Sequence, residues 1–446
     1  MRDFFALAAF LGYMVFFFVV LRNTVFSISL QRSFFGGVLI FREIFLLVLL
    51  GVVLLEVVGL RGFKLVYATE YSLGETSLLI FVSVGLLLIA IALFSKTVFR
   101  RYLRTDIDLG FLTIAPYGTM DFLIRAVAIL LGVFVVLAHA SGATHAFLTS
   151  ILSGESLMRL RLANRYEAAV PSHIVTYMRY AFLLLALLLG LFGKEYLSRV
   201  ERFLYIFLVL YAATLFGAKA PLIQVLMFYF IGTVSSGGYS GFRVAATFSV
   251  FVVFIFGVIF FIAKVQYPDL DAEGFLVFLA DRLGVGQIQG VYEQFALRLS
   301  DWRYILIEVP FSGFFTDPPD FSKDLMMKTL GFYSHQNDIG VMNSFFIGEA
   351  YAIGGYPLVF AAPFAVAFFF CMICAMTVLV LYRYLGVGQD AAKQVAPLFV
   401  SSVLMFTGDL NGLLFGKKLF VIAFFLLMIY VVYRSCLNLR NVMRSR

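Results

Sequence analysis

The sequence predicts an all-α polytopic membrane protein, a bundle of about eleven transmembrane helices (roughly ten to twelve) with one large external loop. Three observations predict it. Of 446 residues, 62% are hydrophobic and 13% are charged, whereas an ordinary soluble domain carries roughly 45–50% and about 25%. Apolar runs approaching the roughly 20 residues that cross a hydrocarbon core recur along the whole length. The 54 Phe and 23 Tyr, against a single Trp, suit a chain whose aromatics pack in lipid and at its interfaces.

In order, the runs fall near 4–20, 36–60, 76–95, 121–140, 174–192, 202–216, 219–233, 245–264, 352–382, 395–408 and 419–435. The first follows a lone Arg2 and is read as a retained helix, because no small-x-small cleavage site follows and many spans do. The run at 395–408 is short and that at 352–382 is long, which sets the range of the count. Residues 1–446 form a single integral membrane domain, with no internal repeat, low-complexity tract or soluble domain.

Orientation follows from the bias of Lys and Arg toward cytoplasmic loops. Arg434, Arg440, Arg444 and Arg446 place the tail inside. Alternating backwards, Arg383 with Lys393, Arg243, Lys194 with Arg199 and Arg202, Lys96 with Arg100, Arg101 and Arg104, and Arg22 with Arg32 are inside too. Short loops on the other side carry only Arg61, Lys64, Lys219, Lys417 and Lys418. Two longer segments also lie outside: 141–171, and the large loop 266–345. In the latter, Ile288, Val291, Tyr292, Phe295 and Leu299 recur at helical spacing, an amphipathic helix able to lie on the membrane or on the protein.

The net charge of +8 reflects these loops. No basic stripe interleaved with aromatics appears, so nucleic acid is not a partner. Cys371 and Cys374 form a C-x-x-C inside an apolar run, where small buried helix residues explain them better than redox or metal chemistry; with Cys436 they imply no disulfide framework.

Chemistry concentrates outside. Arg159, Arg161 and Arg165, Lys219, and Arg282, Arg298 and Arg303 gather against the positive-inside trend, which suggests an anion. Arg offers a planar fork of donors matched to phosphate oxygens. The competing reading is a solvated loop neutralised by Asp281, Glu293, Asp301 and Glu308. Lys219, in Gly217-Ala218-Lys219-Ala220-Pro221, either snorkels to the interface or reaches into a cavity. His335, chosen over His139, His145 and His173, and Glu349 stand where a base could take a proton from an acceptor hydroxyl. Glu349 is otherwise a holder for an arginine. Asp269-Leu270-Asp271 is a short D-x-D that could hold a hard cation. Arg125 and Glu56 fall inside spans and, with Arg42 and Glu43, have no assigned role. Arg42 and Glu43, being adjacent, are expected to point apart.

Four stretches resemble the O-antigen polymerase family, the Wzy-type oligosaccharide repeat-unit polymerases. They are Leu160-Arg161-Leu162-Ala163-Asn164-Arg165 with Val170-Pro171-Ser172; Gly217-Ala218-Lys219-Ala220-Pro221-Leu222; Asp281-Arg282-Leu283-Gly284-Val285-Gly286-Gln287 with Gly290-Val291-Tyr292; and Ser344-Phe345-Phe346-Ile347-Gly348-Glu349-Ala350-Tyr351 with Gly354-Gly355. Their order and the large loop before the last spans also match. The resemblance implies a GT-C-like fold in a bacterial inner membrane. It implies an inverting glycosyltransferase that needs no metal or other cofactor and moves a growing undecaprenyl-pyrophosphate-linked glycan onto a lipid-linked repeat unit in the periplasm. Arg161, Lys219, Arg282 and Glu349 occupy matching positions, and His335 matches by analogy with the related O-antigen ligases. Arg159, Arg165, Arg298, Arg303 and Tyr292 complete the expected glycan and pyrophosphate contacts. Beyond the bilayer and the two lipid-linked glycans, the implied partners are a chain-length regulator and a flippase. An O-antigen ligase and a polysaccharide transporter stay open as alternatives.

Overall fold

A computed structural model of the protein describes residues 2–28, 34–58, 65–103, 119–166, 168–217, 219–236, 241–266, 271–309, 312–329, 342–383 and 404–415, with 392, 393, 396, 397 and 400 besides. Every regular element among them is helical. Among the described residues, seven helical segments are long and apolar enough to cross a membrane: Phe4–Leu21, Gly36–Val58, Ser72–Phe99, Asp121–Ala140, Tyr177–Tyr196, Ala246–Lys264 and Ile347–Tyr382. The expected runs at 202–216 and 219–233 appear as shorter helices, Arg199–Thr214 and Lys219–Ser236. The run at 419–435 and Cys436 lie outside the described residues, as does most of 395–408. The protein is therefore a multi-pass, all-helical membrane protein. The chain packs as two units.

The first unit comprises Met1–Leu109, Leu276–Val380 and Ala392–Lys418. Helix α1 (Arg2–Leu21) turns Phe4, Phe5, Val15 and Val19 outward, as a lipid-facing span must. Its other face packs on α3 (Leu50–Val58) and α4 (Glu70–Leu103). The second span is one rod in three parts: α2 (Phe34–Phe41), a π-helical segment Arg42–Leu49, and α3. Phe17 and Phe45 meet edge to face at 5.5 Å, and Phe10 meets Phe45 the same way at 5.7 Å, the geometry favoured by ring quadrupoles. Tyr13 of α1 reaches α4, donating to the Phe81 carbonyl at 2.6 Å. In the long span, Cys371 and Cys374 are buried free thiols, as their apolar surroundings predicted.

The described part of the large loop from Leu276 onward packs within this unit, with α13 (Gly286–Leu297) against α3 and α4. It contains the end of α12 (Ala272–Ala280), a second π-helical segment Asp281–Val285, α13, two 3-10 turns and α14 (Phe321–Thr329). Ile288, Val291, Tyr292, Phe295 and Leu299 are all buried, so the periodicity located the inner face. The opposite face is not wet. Glu293 and Gln294 are also completely buried. Glu293 accepts hydrogen bonds from the Val66 and Tyr67 backbone N–H groups at 2.6 and 2.9 Å. Tyr292 bonds Ser77 at 3.0 Å, and Ser77 donates to Glu56, which gives that intramembrane carboxylate its partner. The π segment Asp281–Val285 seats against α3 where two glycines meet: a Cβ on Gly51 would lie 2.8 Å from the Gly284 backbone.

The last long helix, α15 (Ile347–Arg383), is broken at Gly354 and Gly355, whose backbone angles are non-helical, just before Pro357. Gly355 stands at φ 65, a conformation L side chains avoid. The break frees the Ala352 carbonyl, which the Asp301 N–H takes at 2.9 Å.

The second unit comprises Gly110–Phe275, Leu381–Ala391 and Leu419–Arg446. Its centre is α8 (Ser172–Tyr196), buried continuously from Tyr180 to Leu189 and packed on α5 (Thr119–Ala140), α9 (Arg199–Thr214) and α10 (Lys219–Ser236). The α8–α10 crossing is glycine on glycine, Gly190 against Gly232, the small-residue packing that lets helices approach in lipid. Ser198 and Glu201 form a reciprocal capping box at the start of α9. Arg125 joins Asp121 at 2.9 Å and Glu201 at 3.0 Å, so this cation ties α5 to α9. Helix α11 (Gly241–Gln266) stacks Phe251 on Phe230 of α10 at 4.2 Å.

Candidate functional site

In the second unit, the segment 141–171 is folded onto the end of α9. It holds two short helices, α6 (Ala146–Ser153) and α7 (Leu157–Tyr166). Ala146, Leu157 and Leu160 form a small core with Phe147 packed on it. Polar bonds fix this core in place. Asn164 accepts from the Thr144 N–H at 2.9 Å and donates to the Thr144 carbonyl at 2.7 Å. The Ala146 N–H donates to the Leu215 carbonyl at 2.9 Å.

Two histidines complete the attachment, and their hydrogen bonds fix their tautomers. His139 Nδ1 donates to the Ala143 carbonyl at 2.7 Å, so Nε2 accepts from the Tyr211 hydroxyl at 2.9 Å. His145 Nδ1 accepts the Leu148 N–H at 3.1 Å and caps α6, so Nε2 donates toward the Tyr211 carbonyl at 3.2 Å. Burial holds the His145 imidazole below its ordinary pKa, assisted by repulsion from His139. Sequence reasoning set both histidines aside. Their signal is indirect, since both flank the turn that begins the segment 141–171.

This attachment sets α7 beside the turn at Gly217. Gly217 adopts φ 68, and a Cβ there would lie 3.1 Å from both Ala146 and Leu157 and 3.6 Å from the Arg161 Cβ. Two residues later Lys219 opens α10. Two sequence features more than fifty residues apart thus share one corner of the fold. Arg159 and Arg161 are exposed on α7, and neither engages a carboxylate among the described residues. Arg165 stands one turn beyond Arg161 on the same helix.

The first unit carries the other predicted residues. Arg282 lies in the π segment Asp281–Val285, which packs against α3 and the π segment Arg42–Leu49. Such wide turns recur at functional sites. In the segment Arg42–Leu49, Arg42 pairs with the buried Glu43. Adjacency was expected to keep these two apart. That expectation assumed ordinary α-helical spacing, and the π-helical turn with Arg42's long arm overturns it.

Arg298 terminates α13 at φ 51, a left-handed position usually taken by Gly, and its side chain is exposed. Arg303 is forked onto Asp301, Nε at 3.0 Å and a terminal nitrogen at 2.7 Å. That hydrogen bonding holds the Asp301 carboxyl below the usual range. For Arg303, the neutralising-acid reading is the one realised. Tyr292 is completely buried with its hydroxyl committed to Ser77, and burial pushes its phenol up. His335 and Asp269 lie outside the described residues. Asp271 is spent on local structure, accepting the Gly274 N–H at 2.7 Å.

Glu349 is completely buried in the first turn of α15. One oxygen accepts the Asn411 N–H at 3.0 Å, at the start of α16 (Leu410–Phe415); the other has no hydrogen-bond partner among the described residues. Asn411 also donates to the Tyr304 carbonyl at 2.8 Å, Tyr304 donates to Asp324 at 3.2 Å, and Ser322 donates to Asp409 at 2.6 Å. Burial pushes both the Tyr304 phenol and the Asp324 carboxyl up. This network ties α14, α15 and α16 together. No arginine holds Glu349 among the described residues.

The arrangement defines a class: a multi-pass helical membrane protein with an exposed cationic helix docked beside a cation-bearing turn in one unit, and a buried carboxylate network in the other. No family model, curated protein or solved structure matches the chain.

Proposed function

We propose that the protein is a surface-polysaccharide polymerase of the O-antigen polymerase type, working in a bacterial inner membrane with its site toward the periplasm. In this reading the bundle has about eleven spans and a GT-C-like fold. The donor is a growing undecaprenyl-pyrophosphate-linked glycan and the acceptor is a lipid-linked repeat unit. The observation that carries the reading is the docking of α7, with Arg159 and Arg161 exposed and unpaired with any carboxylate among the described residues, beside the turn that leads to Lys219. Unneutralised guanidinium groups beside a further cation are what a diphosphate requires.

The acceptor hydroxyl oxygen attacks the donor's anomeric carbon, and the bond to pyrophosphate breaks on the opposite face, inverting the centre. Arg161 and Lys219 meet the charge that develops on the leaving group. The hydroxyl proton passes to His335 or Glu349. The sugar is already activated, so no nucleotide and no metal enter the scheme.

Glu349 separates a chemical role from a structural one. Glu349→Gln keeps an acceptor for the Asn411 N–H, whereas Glu349→Ala leaves that buried donor unpaired at about 1–3 kcal/mol. We expect the Gln variant to accumulate in membranes like the parent while forming polymer about 100-fold more slowly or worse. The Ala variant should be less stable. A Gln variant with parental polymerisation would remove Glu349 from the proton path.

A transporter is the second reading, favoured by the break in α15 at Gly354 and Gly355, because transporters use discontinuous helices at their binding sites. Deleting the gene and resolving the cell's surface glycans by gel decides. A polymerase predicts loss of the ladder with a single repeat unit retained on its acceptor. Loss of the single unit as well points to transport or ligation, and an unchanged ladder overturns the proposal.

A further inference from the structure

The segment joining α13 to α14 is buried at some residues and exposed at others. Leu299 and Tyr304 are buried with Phe321, Leu325, Met342 and Ala352. Along the same connection Trp302, Phe314 and Phe315 are 64%, 83% and 87% exposed. The two phenylalanines are more exposed than any large apolar residue on the seven spans, where Phe4 reaches 77%. Trp302 opens the 3-10 turn Trp302–Leu306 and Phe314 closes the 3-10 turn Ser312–Phe314, while Phe315 follows with its N–H bonded to the Ser312 carbonyl at 2.9 Å. The display is therefore built rather than loose. In water each such ring forgoes about 1.5–3 kcal/mol of burial.

The depth of this segment is set by its attachment. Asp301, the residue before Trp302, bonds the carbonyl of Ala352, five residues into the span Ile347–Tyr382. At 1.5 Å per residue that is about 7.5 Å along the helix from its first residue. Trp302 is thus tied to the end of a membrane-spanning helix, within the zone where Trp and other amphipathic rings concentrate. Its charged neighbour Arg303 is already neutralised by Asp301.

We propose that Trp302, Phe314 and Phe315 form a membrane-interface anchor, their rings seated at the boundary between lipid headgroups and acyl chains. The occupant of this aromatic face is lipid. Trp and Tyr are enriched at both membrane–water interfaces, and the Trp- and Phe-bearing faces of interfacial helices bury about 5–10 Å into that boundary. The anchor would hold α14 and the network around Tyr304 at fixed depth. The inference does not rest on the proposed reaction.

The chain supplies its own probe, since Trp302 is its only tryptophan. The full-length protein is reconstituted in phosphatidylcholine vesicles, with lipids brominated either near the carbonyl end of the acyl chain or near its terminal methyl. We expect shallow bromine to remove most of the Trp302 emission, deep bromine to remove less, and aqueous iodide to remove little. Phe314 and Phe315 both lie largely outside the packed core, so changing them together to Ser should leave the fold intact. The double change should shift the emission to the red and open it to iodide. Emission quenched by iodide and untouched by either lipid would place the face in water and overturn the proposal. Emission reached by no quencher would assign it to a second copy of the chain, with the same consequence. An unchanged spectrum in the double variant would remove the phenylalanines from the anchor.

Discussion

Arg161→Ala is expected to lower polymer formation by about 100- to 1,000-fold, the loss seen when one donor facing a developing anion is removed. The protein should remain folded, because the side chain is exposed and surface substitutions usually change stability by no more than about 0.5 kcal/mol. In the proposed reaction charge on the pyrophosphate grows as the glycosidic bond breaks, so the effect is expected in kcat more than in KM. Arg161→Lys should recover only part of the rate, because an ammonium keeps the charge and loses the bidentate fork. Lys219→Ala should act in the same direction. Arg303→Ala should cost less, its guanidinium being already spent on Asp301. The measurement is polymer formed from purified lipid-linked repeat units by protein in vesicles. Parental turnover in Arg161→Ala would leave α7 without a substrate role.

What could be read from the sequence follows from which interactions leave a periodic trace. Lipid demands uninterrupted apolar runs, so the long spans were legible almost to the residue at 121–140 and 245–264. The buried stripe of α13 was legible for the same reason. Its other face was not, because Glu293 looks solvent-facing until the backbone of Val66 and Tyr67 comes round to meet it. The pairing of 141–171 with the end of α9 also left no trace. It rests on single polar bonds such as His139 to Tyr211, made between residues distant in sequence. The π segments carry no period of their own in the sequence, and the close seating of Gly284 on Gly51 is a tertiary fact; the expectation for Arg42 and Glu43 failed with them. The candidate cations were identified by counting charge on the wrong side of a membrane. That method finds Arg161 and Arg303 alike and cannot tell that, among the described residues, only the second has an acid in its grip.

The second large effect is expected at Gly190, and it is structural. A Cβ at this position would stand 2.4 Å from the Tyr229 carbonyl oxygen and 3.0 Å from the Gly232 Cα. No rotamer relieves this, because the obstacle is backbone on both sides. Alanine alone must therefore push α10 away from α8, and overpacking of that kind typically costs about 1–3 kcal/mol. Valine adds two methyl groups to the same clash and should prevent assembly of the unit. The damage would spread from the crossing, since α8 also packs on α5 and α9, and α10 begins at Lys219. Membrane interiors offer little hydrophobic drive to re-form such a contact, because lipid tails solvate the separated helices as well as the helices solvate each other. Gly132→Val and Gly257→Val serve as controls in the same unit, for a Cβ at either glycine would meet nothing within 4 Å. In detergent, the controls should elute as a single sharp species with parental thermal stability. Gly190→Ala should melt several degrees lower, by the roughly 2–4 °C per kcal/mol expected for a unit of this size, and Gly190→Val should yield no discrete species. Parental melting in Gly190→Ala would mean that the two helices do not cross at these glycines.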